Sequence, residues 1–153
     1  MCNALIFMNV TQNNLKRKID MNVLITLPKH LIDAIISGKK TFEMRSVKPK
    51  LMNVKEDGFF CVEKGTDIVR CWCRCDEVKE VYTNYNPFCG WSDFLCVDRE
   101  YILNYCQNKK KVYLWHILKV MEFEDESLCR GSLFVDHNPQ QFAYCPLSYG
   151  ESY

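Results

Sequence analysis

The chain has 153 residues, of which 48% are hydrophobic and 25% are charged, and its formal net charge is only +1. This balance predicts one folded domain and excludes a largely disordered chain. The near-zero net charge argues against a uniformly basic nucleic-acid-binding protein, and no apolar run approaches the roughly 20 residues that a membrane span needs.

The beginning of the chain predicts an appendage rather than part of the domain. Residues 1–20 show no sustained period and predict a segment without stable structure, and residues 21–153 form the predicted domain. The first residues also lack the basic region and cleavage site of a signal peptide. We therefore expect a cytoplasmic protein in which the ten cysteines are reduced thiols.

The next part of the chain predicts a strand, a helix and a second strand. The β-branched run at 22–27 suits a buried strand. Pro28 suits the first turn of a helix, and Gly38 suits its end. Between them, apolar residues recur at helical spacing: Leu31, Ile32, Ile35 and Ile36. Residues 40–46 then alternate as a strand does.

The middle of the chain predicts a hairpin, a helix and a long strand. Residues 58–65 and 67–78 are separated by one turn, as in a β-hairpin. Apolar residues at helical spacing predict a helix at 98–107, and residues 110–123 form the longest predicted strand.

Three cysteines alternate along the second hairpin strand. Cys71, Cys73 and Cys75 share one face of a strand, with neighbouring thiols roughly 6.5 Å apart. Zinc needs four ligands about 2.3 Å from one centre, which a flat strand does not provide. We therefore predict buried thiols packed as small apolar side chains, with no bound metal and no cofactor. A nucleophilic Cys–His pair is open but has no local signal.

The strand at 40–46 carries a carboxylate between cations. Lys40, Glu43 and Arg45 lie where the strand begins, and alternation places Thr41, Glu43 and Arg45 on one face. One interpretation is an exposed ion pair worth under about 1 kcal/mol. The other is a polar cluster that binds a ligand.

Together these residues resemble a known family. Gly38, Lys40, Thr41, Glu43 and Arg45 after a helix resemble the G-x-K-T-x-E-x-R signature of ASCH domains, which belong to the PUA-like superfamily. The hairpin, the aromatic strand at 110–120 and the ending "NPQQFAYC" are similar to further segments of the family, the last to phage-type and bacterial members.

The resemblance implies an α+β fold, a small mixed β-barrel with flanking helices, and a cleft bordered by the signature that binds RNA or a nucleotide-like ligand. Lys40 and Arg45 would then neutralise a phosphate, and Glu43 would accept from a base amino group or hold Arg45. Thr41 would hydrogen-bond backbone at the bend. Tyr113 and Trp115 would offer flat faces to an unstacked base, although core packing is the alternative for both.

Two rival functions follow from the same resemblance. Some ASCH proteins resemble amidohydrolases that use a lysine, a threonine and a glutamate, and Lys40 matches the lysine. Glu43 stands at the threonine position, and no acid lies between Glu100 and Glu122 where the glutamate is expected. A ribonuclease that uses Lys40 and Glu43 for acid–base chemistry stays open. A protein-binding adaptor is a third class, with no specific signal in the sequence.

Overall fold

The computed structural model of the protein describes residues 21–84, 88, 90–124 and 126–145. The predicted appendage at residues 1–20 lies outside the described residues. The described elements, in chain order, are β1 (Asn22–Leu27), α1 (Lys29–Ile36), β2 (Phe42–Arg45), β3 (Gly58–Glu63), β4 (Val69–Tyr82), α2 (Trp91–Leu95), α3 (Arg99–Cys106), β5 (Lys111–Glu122), the 3-10 turn Arg130–Leu133 and β6 (Ala143–Cys145). Each strand and helix predicted from periodicity corresponds to one of these elements, and β4 continues to Tyr82, beyond its predicted end at residue 78.

The six strands form one mixed sheet in the order β2-β5-β4-β3-β1-β6. Strands β1 and β3 are parallel, and every other neighbouring pair is antiparallel. Helix α1 joins β1 to β2, which lie on opposite sides of the sheet, and α2 and α3 precede β5. The predicted α+β class is therefore confirmed.

The sheet does not close into the predicted small mixed barrel, because the described strands leave two open edges. Strands β2 and β6 are only four and three residues long, and each pairs on one side only. The two edges nevertheless approach each other. The guanidinium of Arg45, on β2, donates to the backbone oxygens of Gln140 and Gln141 just before β6. A side chain, rather than a ladder of backbone hydrogen bonds, joins the two edges.

Both faces of the sheet are covered by apolar packing. One core lies between the sheet and α1 and includes Ile32, Phe59 and Trp115. A second core lies on the other face, around Phe60 and Trp72. A third core packs α2 and α3 against β2 and β5. No helix among the described residues is long and apolar enough to cross a membrane.

Candidate functional site

The turn after α1 positions the charged residues at 40–45. Backbone N–H groups of Ser37 and Gly38 donate to Asp33 and Ile35 at the end of the helix. Gly38 has φ of +82°, a conformation that glycine adopts without the steric cost of a side chain. The amide of Lys40 then returns to the carbonyl of Ala34 at 2.9 Å. The chain therefore leaves the helix in a fixed direction.

Lys40, Glu43 and Arg45 form one buried ionic cluster. Lys40 Nζ lies 3.5 Å from Glu43 Oε2, and Arg45 Nε lies 3.2 Å from Glu43 Oε1. The exposed fractions of the three residues are only 3%, 5% and 7%. The expectation of an exposed ion pair is therefore wrong, whereas the grouping of the three residues follows the sequence pattern.

Each cation in the cluster also binds backbone oxygens. Lys40 Nζ donates to the carbonyl of Leu95 at 2.8 Å, which satisfies an oxygen at the carboxyl end of α2. Arg45 Nη2 donates to Thr26 O at 3.3 Å, and Nη1 donates to Gln141 O at 3.1 Å. These contacts fix both cations in position around the single carboxylate.

The cluster borders a pocket of about 680 Å³, here called the Glu43 pocket. Its volume lies within the usual range for small-molecule sites. The lining residues are Thr26, Leu27, Pro28, Leu31, Lys40, Glu43, Met44, Arg45, Lys64, Gly65, Leu95, Val97, Tyr101, Tyr105, Asn138, Pro139, Gln140 and Gln141. They come from five separate parts of the chain, so the pocket is formed by tertiary packing rather than by one segment.

Two tyrosines that the sequence interpretation missed line this pocket. The rings of Tyr101 and Tyr105, on α3, lie 6.2 Å apart at an interplanar angle of 18°. Tyr101 is 49% exposed. Burial of part of its side chain, with a smaller effect of the Glu43 carboxylate, raises the pKa of its hydroxyl. The only signal in the sequence was their spacing of four residues on a predicted helix, which brings side chains together without saying what they face.

Lys64 and Gln141 also line the pocket and were missed. Lys64 is exposed and lies in the turn after β3. Gln141 precedes β6. Both residues lie outside the segment at 38–45, so the local sequence pattern did not indicate that they would line the same pocket.

The predicted aromatic platform lies elsewhere. Trp115 is fully buried and packs edge-on against Phe59 at 5.5 Å. Tyr113 is half-buried, with Lys111 Nζ 5.9 Å from the centre of its ring. Neither residue lines the Glu43 pocket. Their placement matches the alternative of core packing.

Thr41 is also absent from the pocket lining. Its amide donates to Phe94 O at 3.0 Å, and its carbonyl accepts from the amide of Ile117 at 2.9 Å. The backbone of Thr41 therefore ties the start of β2 to α2 and to β5. The described contacts give its side chain no role in the pocket.

The alternating cysteines are buried, as predicted, but their spacing differs from the prediction. Cys71 and Cys73 have Sγ atoms 4.0 Å apart, and Cys61 on β3 brings a third thiol within 4.8 Å of both. Hydrogen bonds from the other two thiols lower the pKa of Cys71, whereas burial raises the pKa values of Cys61 and Cys73. A metal would need several thiolates at once, which burial opposes. The absence of a metal there stays a prediction.

The architecture is similar to solved ASCH structures from Zymomonas mobilis. A serine-to-alanine variant of that protein superposes with a TM-score of 0.69 at 15% identity, covering 82% of this chain and 89% of the other. The unsubstituted protein gives 0.65 at 15% identity, with 84% and 88% covered. The chain has the ASCH fold. A tyrosine-to-phenylalanine variant gives 0.62 at 16% identity, with 81% and 89% covered.

The similarity to the ASCH structures is a similarity of fold and not of sequence. Neither a protein-family model nor a curated protein sequence matches the chain. At such low identity, the shared ASCH fold describes how the strands and helices are arranged, and function has to be argued from the Glu43 pocket itself.

Proposed function

We propose that the protein binds single-stranded RNA, or a nucleotide-like ligand, in the Glu43 pocket. The observation that carries the proposal is the charge and ring content of the lining. Among the described lining residues, Lys40, Arg45 and Lys64 are cationic and Glu43 is the only acid. This excess of positive charge favours a phosphate-bearing ligand although the whole chain is nearly neutral.

Two exposed side chains that line the pocket also support the proposal. Lys64 is exposed and can reach a phosphate without breaking an ion pair, whereas Lys40 and Arg45 are held by Glu43 and by backbone oxygens. Tyr101 offers a partly exposed ring in the same pocket. Stacking of a base on an aromatic ring contributes about 1–3 kcal/mol. A cation and a ring that line the same pocket suit one nucleotide of a single strand. Such a role fits a protein of the cytoplasm and the resemblance to phage-type and bacterial ASCH proteins.

Fluorescence polarisation tests this proposal. A labelled single-stranded RNA heptamer is titrated with the protein at about 50 mM and about 200 mM salt. We expect Lys64→Gln to weaken binding and to reduce the slope of log affinity against log salt by about 1. Tyr101→Ala should weaken binding by about 1–3 kcal/mol. Lys79→Gln is the matched control, because Lys79 is exposed on β4 and does not line the pocket.

Two results would overturn RNA binding in this pocket. One is an RNA heptamer that does not bind at either salt concentration. The other is binding that Lys64→Gln and Tyr101→Ala leave as strong as in the Lys79→Gln control. A DNA heptamer of the same sequence shows whether the ribose hydroxyl contributes.

The alternative is a small hydrolase acting on RNA or on a modified nucleoside. The observation that favours it is the distance of 3.5 Å between Lys40 Nζ and Glu43 Oε2 inside the pocket, since such a pair can exchange a proton. The RNA recovered from the same titrations distinguishes the two functions. Intact RNA supports binding alone, and shortened or modified RNA that is absent with Glu43→Gln supports the hydrolase.

A further inference from the structure

Four polar atoms of the described pocket lining are buried without a hydrogen bond. They are Glu43 Oε2, Arg45 Nε, Gln141 Oε1 and the hydroxyl oxygen of Tyr105. Buried polar groups in folded proteins are nearly always hydrogen-bonded, because an unmade bond costs about 1–3 kcal/mol. Arg45 Nε lies 3.2 Å from Glu43 Oε1, so its charge is paired within the protein. The other three atoms indicate partners that a ligand supplies.

Arg45 holds both the Glu43 carboxylate and the backbone of Gln141. Glu43 is held between Lys40 and Arg45, and the same Arg45 guanidinium binds the backbone oxygen of Gln141. The carboxylate and residue 141 therefore flank one rigid planar group. A ligand that meets the Glu43 carboxylate does not have to pay for ordering it.

The chemistry of the atoms specifies what the ligand presents. An ionised carboxylate only accepts hydrogen bonds, and the Gln141 oxygen is also an acceptor. The Tyr105 hydroxyl and the Lys40 ammonium can donate. The complementary ligand edge therefore carries adjacent N–H donors beside a carbonyl oxygen.

Among the four bases of RNA, one has that edge. Guanine presents N1–H and an N2 amino group side by side, with O6 next to them. Uracil turns carbonyl oxygens toward an acceptor on both sides of its single N–H. Cytosine and adenine each place a ring-nitrogen lone pair beside their amino group, where it would face the carboxylate.

We propose that the Glu43 pocket selects an unstacked guanine, whose N1–H and N2 amino groups donate to Glu43 and Gln141 while O6 accepts from Tyr105 or Lys40. This inference rests on the proposed binding of RNA in the same pocket. It adds which base enters and which residues read it. Recognition of the pairing edge requires that the base leave its stack, as in other single-strand readers.

The test uses the parent protein and five labelled RNAs. Each is a uridine heptamer whose central nucleotide is guanosine, inosine, adenosine, cytidine or uridine. Polarisation titrations should give the guanosine heptamer an affinity about tenfold or more above the uridine heptamer. Inosine lacks only the N2 amino group, so it should bind several-fold more weakly than guanosine.

Variants then assign the selectivity to residues. Glu43→Gln should remove most of the guanosine preference, because an amide offers one acceptor and one donor. Glu77→Gln is the matched control, since Glu77 is exposed on β4 and outside the pocket. Tyr105→Phe removes a hydroxyl that makes no hydrogen bond in the protein, so it should leave folding intact and weaken guanosine binding. A thermal melt of each variant accompanies the titrations.

The parent series alone decides the proposal, even where a variant fails to fold. If all five heptamers bind with equal affinity, guanine selection is overturned, and RNA binding in the pocket stands where Lys64→Gln still weakens binding. If no heptamer binds, the proposed function fails and this inference fails with it. A preference for adenosine or cytidine over guanosine would also overturn it.

Discussion

Glu43 is the residue that makes two buried cations tolerable. Lys40 and Arg45 lie almost out of contact with water, and both pair with this one carboxylate. Burying a charge without a partner costs several kcal/mol, and removing one partner of a buried pair destabilises a protein by about 3–5 kcal/mol. Such an arrangement is a poor way to gain stability, which agrees with a role in binding.

Arg45 is predicted to stabilise the fold through its contacts. Its guanidinium contacts Glu43 and the backbone oxygens of Thr26, Gln140 and Gln141. Lysine keeps the charge but cannot hold several acceptors in fixed directions. We expect Arg45→Lys to lower the free energy of unfolding by about 1.5–3 kcal/mol, measured by urea denaturation.

Arg74→Lys provides the matched control for that measurement. Arg74 donates only to Lys55 O in the described contacts, and that contact is exposed. Its replacement should change stability by less than about 0.5 kcal/mol. Equal effects of the two substitutions would contradict the bridging role of Arg45.

The sequence predicted some pocket residues and not others for a physical reason. The grouping of Lys40, Glu43 and Arg45 is local, because strand alternation and one turn bring them together. Tyr105 and Gln141 reach the pocket through tertiary packing, which local pattern does not encode. Trp115 was predicted to stack on a base but is fully buried. Strand alternation shows which residues share a face of the sheet, and it does not show which face other elements cover.

The junction between α1 and β2 is the element that sets the site. The carboxyl end of the helix is capped by backbone hydrogen bonds, and Thr41 links the following strand to α2 and β5. Helix α1 itself is held to the sheet where Arg70 pairs with Asp33 and Glu63, each at 2.9 Å. Gly38 is the one position in this junction with positive φ. The sequence predicted this junction well, because a glycine after an apolar helical pattern is a strong local signal.

Gly38→Ala tests the junction. The added methyl group would meet no atom within 4 Å, so the cost comes from the backbone conformation alone. That cost is about 1–2 kcal/mol for an ordinary residue. We expect a loss of unfolding free energy of this size and weaker RNA binding, because the direction of Lys40 depends on this turn.

Gly131→Ala is the control for Gly38→Ala. Gly131 also has open space around it, and its φ is not positive. Its substitution should be nearly neutral in the same urea titration. If both substitutions are neutral, Gly38 does not hold the turn in place.

The Glu43 pocket lies where the two edges of the sheet, at β2 and β6, approach each other without pairing. Arg45 crosses that gap, and Thr26 Oγ1 donates to Pro139 O at 2.8 Å beside it. The sequence predicted the strands and their class but not this opening. Closure of the sheet would require β2 and β6 to pair. These strands lie about one hundred residues apart in sequence, and neither has a residue pattern that indicates its partner.

The two main cores also predict how the protein responds to alkali. Cys75 lies in the core beneath α1, and Cys145 lies in the core on the other face of the sheet. Burial raises the pKa of each thiol from 9.0 to about 12. At these two thiols the folded protein therefore keeps protons that the unfolded chain releases above about pH 9.

The direction of the effect follows from that proton balance. Between pH 9 and pH 12 the folded state binds more protons at these thiols than the unfolded state, so stability is complete below this window and falls as the pH rises through it. Each thiol contributes up to about 1.4 kcal/mol per pH unit. We expect urea denaturation to show a shallower alkaline loss for Cys75→Ala or Cys145→Ala than for the parent. Cys129→Ala is the control, because Cys129 is exposed and a hydrogen bond from Ser132 lowers its pKa. An alkaline slope that is the same in all four proteins would show that the buried thiols do not carry it.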